Sequence, residues 1–481
     1  MEKKSIKLSY SIIKLYQIFN INSMKSAIKI GEPDAFKHLK CESNQSEDYH
    51  YHPNQEYKPF SFNIKNTILN TIGYTPLVKL NKIPQSEGVK CEILAKCEYL
   101  NPGGSLKDRI SLRMVADAEK EGRIKPGDTL IEATSGNTGI GVALVAAVKG
   151  YRAIITVPEK TSHEKIVTLK SLGAEVVIKP TEAHWDDPDS HISVSKKLRD
   201  QIPNSHILGQ YSNPSNPAAH YDGTAEELLD QCDGKIDYFF SGAGTGGTIS
   251  GISRKLKEKV PNCKIIGVDP YGSIVALPEH LNETDVRIFR VEGTGSDFIP
   301  KNLNRKLIDQ WIKVNDKDSF DMARRLIREE GILCGGSAGQ VVAAAIRYAK
   351  ENNLGEGVRC VVILGDSIRN YMTEFLNDTW MRRHGYMDLN TLSDPKHPLY
   401  GVSWEKLELK ESEYVKKDAT IGEVTKLMGQ NVRFLPVVEK GKVYGYISKQ
   451  SLMNQIINEK KTADRSARNA IVKECQTVIT L

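Results

Sequence analysis

The sequence lacks any apolar run long enough to cross a membrane. Its nearest approach, Ile12 to Phe19, is short and broken by Lys14 and Gln17, whereas a spanning helix needs about 20 mostly apolar residues. No small-residue cleavage site follows it, so a secretory leader is not expected. The segment has no arginine, which speaks against a mitochondrial leader. The eight cysteines, at 41, 91, 97, 232, 263, 334, 360 and 475, show no framework spacing, and there is no Cys-x-x-Cys-His attachment motif. Reduced thiols and a cytoplasmic setting are the expectation. A dominant charge is missing as well. Of the net +6, residues 1–31 supply +5 through six lysines set against Glu2, and the remainder is nearly neutral. No basic groove for nucleic acid is implied. With 40% hydrophobic and 26% charged residues over 481 positions, the chain has room for two or three ordinary globular domains.

What is present is one well-placed lysine and a series of glycine-rich loops, each running into a helix. In Gly103-Gly104-Ser105-Leu106-Lys107-Asp108-Arg109 a turn signal feeds an amphipathic run (Ile110, Met114, Val115, Ala118), which places Lys107 in a helix's first turn. The positive end of the helix and burial both disfavour the ammonium form. A neutral amine there could form a Schiff base with a carbonyl compound. A first-turn lysine with its stem on apolar surface and its charge in water is the plain alternative.

Two strand, loop and helix units follow. Thr129–Ala133 reads as a buried strand, Thr134-Ser135-Gly136-Asn137-Thr138-Gly139 as a polar loop, and Ile140 to Val148 as a helix. Hydroxyls, an amide and free N–H groups at a helix N-terminus suit a carboxylate or a ring oxygen, although a capped turn explains them equally. Farther on, the strand Ile236–Phe240 leads into Ser241-Gly242-Ala243-Gly244-Thr245-Gly246-Gly247-Thr248 and the helix Ile249 to Lys259. Glycines that let the backbone approach, with Thr245 and Thr248 beside them, suit a phosphate. The same glycines match the dinucleotide fingerprint Gly242-x-Gly244-x-x-Gly247, and Asp269 ends a strand about 20 residues on, where a ribose-binding acid would sit. An NAD-dependent oxidoreductase is therefore a rival reading, though it leaves Lys107 without a task.

The last such motif, Cys334-Gly335-Gly336-Ser337-Ala338-Gly339, opens an apolar helix from Val341 to Tyr348. Ser337 would cap that helix, or its hydroxyl would face the nitrogen of a pyridine-type cofactor. A hydroxyl does not hold such a nitrogen protonated, so the ring is a mild electron sink, suited to elimination at a β-carbon.

With these residues in view, the stretch from Asn63 to Met387 resembles the cystathionine β-synthase and cysteine synthase family of fold-type II pyridoxal phosphate enzymes. The segments that carry the resemblance are Lys96 to Met114, Pro203 to Leu208, Asp297 to Pro300 and Asp366 to Met372. The resemblance implies an α/β fold like the tryptophan synthase β-subunit, with two lobes, mostly parallel sheets and pyridoxal 5'-phosphate between them. It implies that Lys107 holds the cofactor and serves as acid and base, and that Asn137 contacts the ring oxygen. Gly244, Thr245, Gly246, Gly247 and Thr248 would hold the phosphate, and Ser337 the ring nitrogen. Thr134, Ser135, Gly136 and Thr138, with Gln210, would bind the substrate carboxylate. The implied reaction joins L-serine and L-homocysteine into cystathionine and water, a transsulfuration step in cysteine biosynthesis, with hydrogen sulfide as a side product and a homodimer as the working unit. A cysteine synthase acting on O-acetylserine is the alternative within the family. Ser296 and Gly209 depart from the animal members, which carry tyrosine and aspartate there, and both departures bear on homocysteine. The Cys-x-x-Cys pair of some relatives is reduced to Val260 and Cys263, so no redox switch is expected there.

The flanks have their own character. Residues 1–62 form an extension in which Cys41, His50 and His52 stand in a polar, core-poor stretch. The resemblance implies non-covalent haem b there, with Cys41 and His52 as candidate iron ligands and Arg254 as the cation that steadies the thiolate. A disordered tail is the alternative. The catalytic region covers 63–387 and a Pro-rich linker covers 388–411. Residues 412–481 resemble a single, incomplete copy of the paired CBS module, a small α/β unit. Within it the pattern predicts a helix capped by Thr420, strands Phe434–Val438 and Val443–Ile447, and a helix from Gln450 to Ile457. Paired modules bind adenosyl ligands in a shared cleft that one copy cannot close, so activation by S-adenosylmethionine is not expected. A non-catalytic adenosyl sensor is the outside reading.

Overall fold

The computed structural model describes residues 64–387 except 135, 160, 181–186 and 287, together with 414–428, 434–439, 442–448, 451–452, 466–467 and 471. Cys41, His52, Ser135, the linker 388–411 and most of the helix expected from Gln450 lie outside the described residues. The chain divides into two compact units, Met1–Trp380 and Met381–Leu481.

The first unit contains two sheets. The smaller runs in the order β5-β4-β3-β6 and is parallel throughout, built from β3 (Thr129–Ala133), β4 (Arg152–Pro158), β5 (Glu175–Lys179) and β6 (Ser205–Ile207). The larger runs β1-β2-β10-β7-β8-β9 and is parallel except for its edge strand β1 (Leu77–Lys79). Its other strands are β2 (Glu92–Cys97), β7 (Tyr238–Gly242), β8 (Lys264–Pro270), β9 (Gln310–Val314) and β10 (Arg359–Leu364). Strands buried on both faces read as continuous apolar runs, and the packing shows why. Phe239 and Val361 point into one core with Ile249, Ile252 and Ile265, while Phe240 and Val362 point into another with Leu326, Ala338 and Val342. The smaller sheet has its own core, in which Leu130 and Ile155 meet Ile110, Met114, Val142 and Val145.

Seven helices matter below: α1 (Lys107–Lys120), α2 (Asn137–Lys149), α3 (His163–Ser171), α4 (Gly247–Lys259), α5 (Asp316–Glu330), α6 (Gly336–Glu351) and, in the second unit, α7 (Ile421–Met428). Helices α2, α4 and α6 start two to five residues earlier than the apolar pattern suggests, at glycine-rich turns. Their glycines are demanded by close packing: a Cβ on Gly339 would lie 2.0 Å from Ser319 O, and one on Gly141 2.5 Å from Ser111 Oγ. Strand β7 starts two residues later than expected.

The second unit shows a three-stranded sheet, β11 (Val415–Lys416), β12 (Phe434–Glu439) and β13 (Lys442–Ser448), with β11 parallel and β13 antiparallel to the central strand. The Thr420 cap is present as a reciprocal box. Thr420 Oγ1 accepts from Glu423 N at 3.2 Å, and the Glu423 carboxylate accepts from Thr420 N at 2.7 Å. Val424, Leu435, Val437 and Ile447 form its core. Among the described residues, no helix is long and apolar enough to cross a membrane.

Candidate active site

The loops that carry Lys107, Asn137 and Gly244 to Thr248 leave the C-terminal ends of β2, β3 and β7, the edge where open α/β sheets bind ligands, while the Ser337 turn follows α5. The segment after β2 reaches Lys107, the loop after β7 becomes α4, and β10 ends in Gly365-Asp366. Backbone bonds draw these together: Leu106 N donates to Gly365 O at 2.9 Å, and Ser105 and Cys334 form isolated bridges to Asp366 and Ser367. A cavity results, with about 400 Å³ of empty space partly open to solvent, lined among others by Lys107, Gly244, Thr245, Gly246, Thr248 and Ser337.

Lys107 is the first residue of α1, and burial pushes its ammonium down to about 8 against the opposing pull of Asp366. The helix that carries it is anchored two residues on. Arg109 donates to both Glu98 oxygens (2.6 and 2.7 Å) and both Glu227 oxygens (2.6 and 2.8 Å), and Lys96 adds a 2.7 Å contact to Glu227. All four side chains are buried. Removing one partner of such a network strands a buried charge, at about 3–5 kcal/mol, so the amine sits on a rigid element.

The loop before α4 fits a phosphate. Gly246 has φ +82°, and an added Cβ on it would lie 2.4 Å from Leu303 Cβ. On Gly244 a Cβ would sit 2.6 Å from Gly293 O, and on Gly247 it would sit 1.9 Å from Asn216 Oδ1. The loop is thus wedged tightly against its neighbours and leads into a helix N-terminus, where N–H groups are free for an anion. Asn216 Nδ2 steadies it by donating to Thr245 Oγ1 at 2.9 Å and to Gln210 O at 2.8 Å.

Asn137 is the first residue of α2, and its amide is held from both sides. Nδ2 donates to Asp366 Oδ2 at 2.7 Å, and Oδ1 accepts from Asn370 Nδ2 at 3.0 Å. Tyr371 donates to the same Asp366 oxygen at 2.5 Å, and Lys165 on α3 donates to the Tyr371 hydroxyl at 3.0 Å and to Glu292 at 2.5 Å. Burial and the Asp366 charge keep the Tyr371 phenol protonated, far above its ordinary range. Asp366 Oδ1 is buried with no hydrogen-bond partner. An orphaned carboxylate oxygen beside Lys107 fits a site that takes a polar ligand.

The loop after β3 meets Gln210. Thr138 Oγ1 donates to Gln210 Oε1 at 2.5 Å, Gln210 Nε2 donates to Ala133 O at 2.7 Å, and Gly136 N donates to Thr134 Oγ1 at 3.0 Å. Glu132, buried in β3, accepts the backbone N–H groups of Gly209 (2.9 Å) and Gln210 (3.0 Å). Gly209 has φ +76°, a conformation glycine adopts freely.

The structure therefore brings Lys107, Gly244, Thr245, Gly246, Thr248 and Ser337 to one cavity. Asn137 joins them through Asp366, and Thr134, Gly136, Thr138 and Gln210 form an adjoining cluster. Two sequence readings need correction. Ser337 is not the cap of α6; that position is Gly335, and Ser337 lies inside the first turn. Asp269 is not free for a ribose, because it is buried and paired with Lys313 Nζ at 2.7 Å. Asp366, Asn370, Tyr371 and Lys165 are further site residues that the sequence does not single out; for the first three a signal exists in the polar run directly after the β10 strand end, and for Lys165 on α3 there is none. Arg254 lies on α4 with Glu258 Oε1 at 3.5 Å.

Comparison with known proteins agrees with this arrangement. Residues 68–366 match the family described as pyridoxal-phosphate dependent enzyme, and residues 407–458 match the CBS domain. A cystathionine β-synthase of Dictyostelium discoideum is 55% identical over 402 residues, covering 82% of this chain and 80% of that protein. The chain belongs to the cystathionine β-synthase family of pyridoxal-phosphate dependent enzymes. The family's mouse member is 60% identical over 338 residues, which are 70% of this chain and 59% of the mouse protein. The O-acetylserine dependent cystathionine β-synthase of Helicobacter pylori superposes with a TM-score of 0.59 at 36% identity, covering 65% of this chain and 99% of that one.

Proposed function

We propose that this chain catalyses cystathionine β-synthase chemistry, in which the β-hydroxyl of L-serine is replaced by the thiol of L-homocysteine to give cystathionine and water. The observation that carries it is the placing of Lys107, an amine with its pKa pushed down to about 8, in one cavity with the glycine loop and Ser337. When bound, pyridoxal phosphate supplies an electron sink for the electron pair left on the substrate's α-carbon.

The chain's own residues do the rest. Lys107 Nζ would hold the cofactor at its aldehyde carbon, and as a neutral amine it would take the substrate's α-proton and later return it. Gly244, Thr245, Gly246, Gly247 and Thr248 would hold the phosphate, and Ser337 would meet the ring nitrogen. Asn137, its amide fixed by Asp366 and Asn370, has a second Nδ2 hydrogen to give the ring oxygen. Thr134, Ser135, Gly136 and Thr138 would bind the α-carboxylate with Gln210; because Gln210 Oε1 takes the Thr138 hydroxyl hydrogen, Thr138 would contribute its backbone N–H in the first turn of α2. The serine hydroxyl leaves with a proton as water, and the incoming thiol loses its proton as the new C–S bond forms.

Purified protein is tested with serine plus homocysteine against O-acetylserine plus sulfide. Cystathionine from the first pair supports the proposal; cysteine from the second pair alone makes the chain a cysteine synthase. Haem held by Cys41 and His52 and a homodimer are also part of the proposal. A Soret band lost in Cys41→Ala tests the first, and light scattering the second.

A further inference from the structure

His220 lies fully buried behind the glycine loop. It opens a single π-turn, His220–Thr224, set between the short helices Ser215–Ala219 and Ala225–Gln231. Such turns are rare and concentrate at functional positions. This one aims both ring nitrogens at hydroxyls: Nδ1 is 2.9 Å from Thr224 Oγ1, and Nε2 is 3.1 Å from Thr248 Oγ1. The approach depends on Gly251 of α4, where a Cβ would lie 3.1 Å from His220 Cβ and 2.2 Å from Pro217 O. Burial, with the charges of Arg109 and Lys107 nearby, holds the imidazole well below its usual range, so the ring is neutral.

A neutral imidazole has one donor and one acceptor nitrogen. Of the two threonine hydroxyls, one must therefore give its hydrogen to the ring while the other receives one. Thr248 lines the cavity from the first turn of α4. Its hydroxyl helps to bind a phosphate only if its hydrogen points at the oxyanion. That requires Nε2 to carry the ring hydrogen and Thr224 to donate to Nδ1.

We propose that His220 is a positioning residue of the phosphate cradle: as the Nε2–H tautomer it donates to Thr248 Oγ1 and so commits the Thr248 hydrogen to the cofactor's phosphate. The proposal deepens the reading of residues 244–248 as a phosphate site and rests on it. Because His220 acts through Thr248, it should affect ligands that carry a phosphate and no others.

Apoenzyme is titrated with pyridoxal phosphate and, separately, with pyridoxal, and binding is followed by fluorescence. His220→Leu should weaken pyridoxal phosphate about tenfold, the weight of one hydrogen bond to a charged group, and leave pyridoxal unchanged. His220→Gln, with an amide donor near the Nε2 position, should recover most of the loss. In a Thr248→Ala background His220→Leu should cost nothing further. Histidine-labelled ¹⁵N spectra of the wild-type holoprotein should show the proton on Nε2, and this measurement decides alone if the leucine variant does not fold. Equal losses for the two ligands, or a proton on Nδ1, would overturn the proposal. Wild-type protein that binds pyridoxal phosphate no better than pyridoxal would instead overturn the phosphate reading itself.

Discussion

Asp366 Oδ2 accepts the side-chain amide of Asn137 at 2.7 Å, joining residues 229 positions apart in the sequence. Because Asn370 holds the other end of the same amide, Asn137 has one orientation, with its second Nδ2 hydrogen left for a ligand. Asp366→Asn replaces an acceptor with a group that can donate, and the Asn137 amide loses its fixed direction. Cofactor affinity, followed by absorbance titration, should fall about tenfold, consistent with one charge-assisted bond. Unchanged affinity would detach Asp366 from the site.

The Lys107 amine titrates near 8 because burial disfavours its charge. Only the neutral amine attacks a carbonyl. The rate at which apoenzyme captures pyridoxal phosphate should therefore rise about tenfold per pH unit below 8 and level off above it. An inflection near the ordinary lysine value would show that the amine is solvated.

Glu132 accepts two backbone N–H groups from the Gly209-Gln210 turn, while burial pushes its carboxyl up to about 7. Glu132→Gln sets an amide NH2 against one of those N–H groups, at a cost of about 1–3 kcal/mol. The turn that carries Gln210 should loosen. We expect the KM for the amino-acid substrate to rise by more than pyridoxal phosphate affinity falls, because the turn reaches the phosphate loop indirectly, through Asn216, and steady-state kinetics with a cofactor titration separates the two.

Much of this site was legible because each motif is local. Lys107, Asn137 and the 244–248 loop all stand where a turn signal meets an apolar helix, and that pattern survives in one dimension. The starts of α2 and α6 are hidden in the sequence because Gly139 and Gly339 look like turn residues, whereas the structure uses them for close packing, against Ile155 of β4 and the Ser319 carbonyl of α5. Asp366 and Tyr371 escaped because their role depends on β10 lying beside β2 and β7, an adjacency that no spacing reveals. The dinucleotide decoy failed for a similar reason, since the partner that takes Asp269 is on β9. His220 was hidden most completely, because a π-turn has no periodic signature.

The central claim is that Lys107 carries the cofactor, and the most direct measurement is borohydride reduction of the holoprotein followed by peptide mapping. The pyridoxyl label should be found on Lys107, with none on Lys96 or Lys165, and Lys107→Ala should take up no label. A label on another lysine, or unlabelled protein that still shows the cofactor's visible band, would contradict the account.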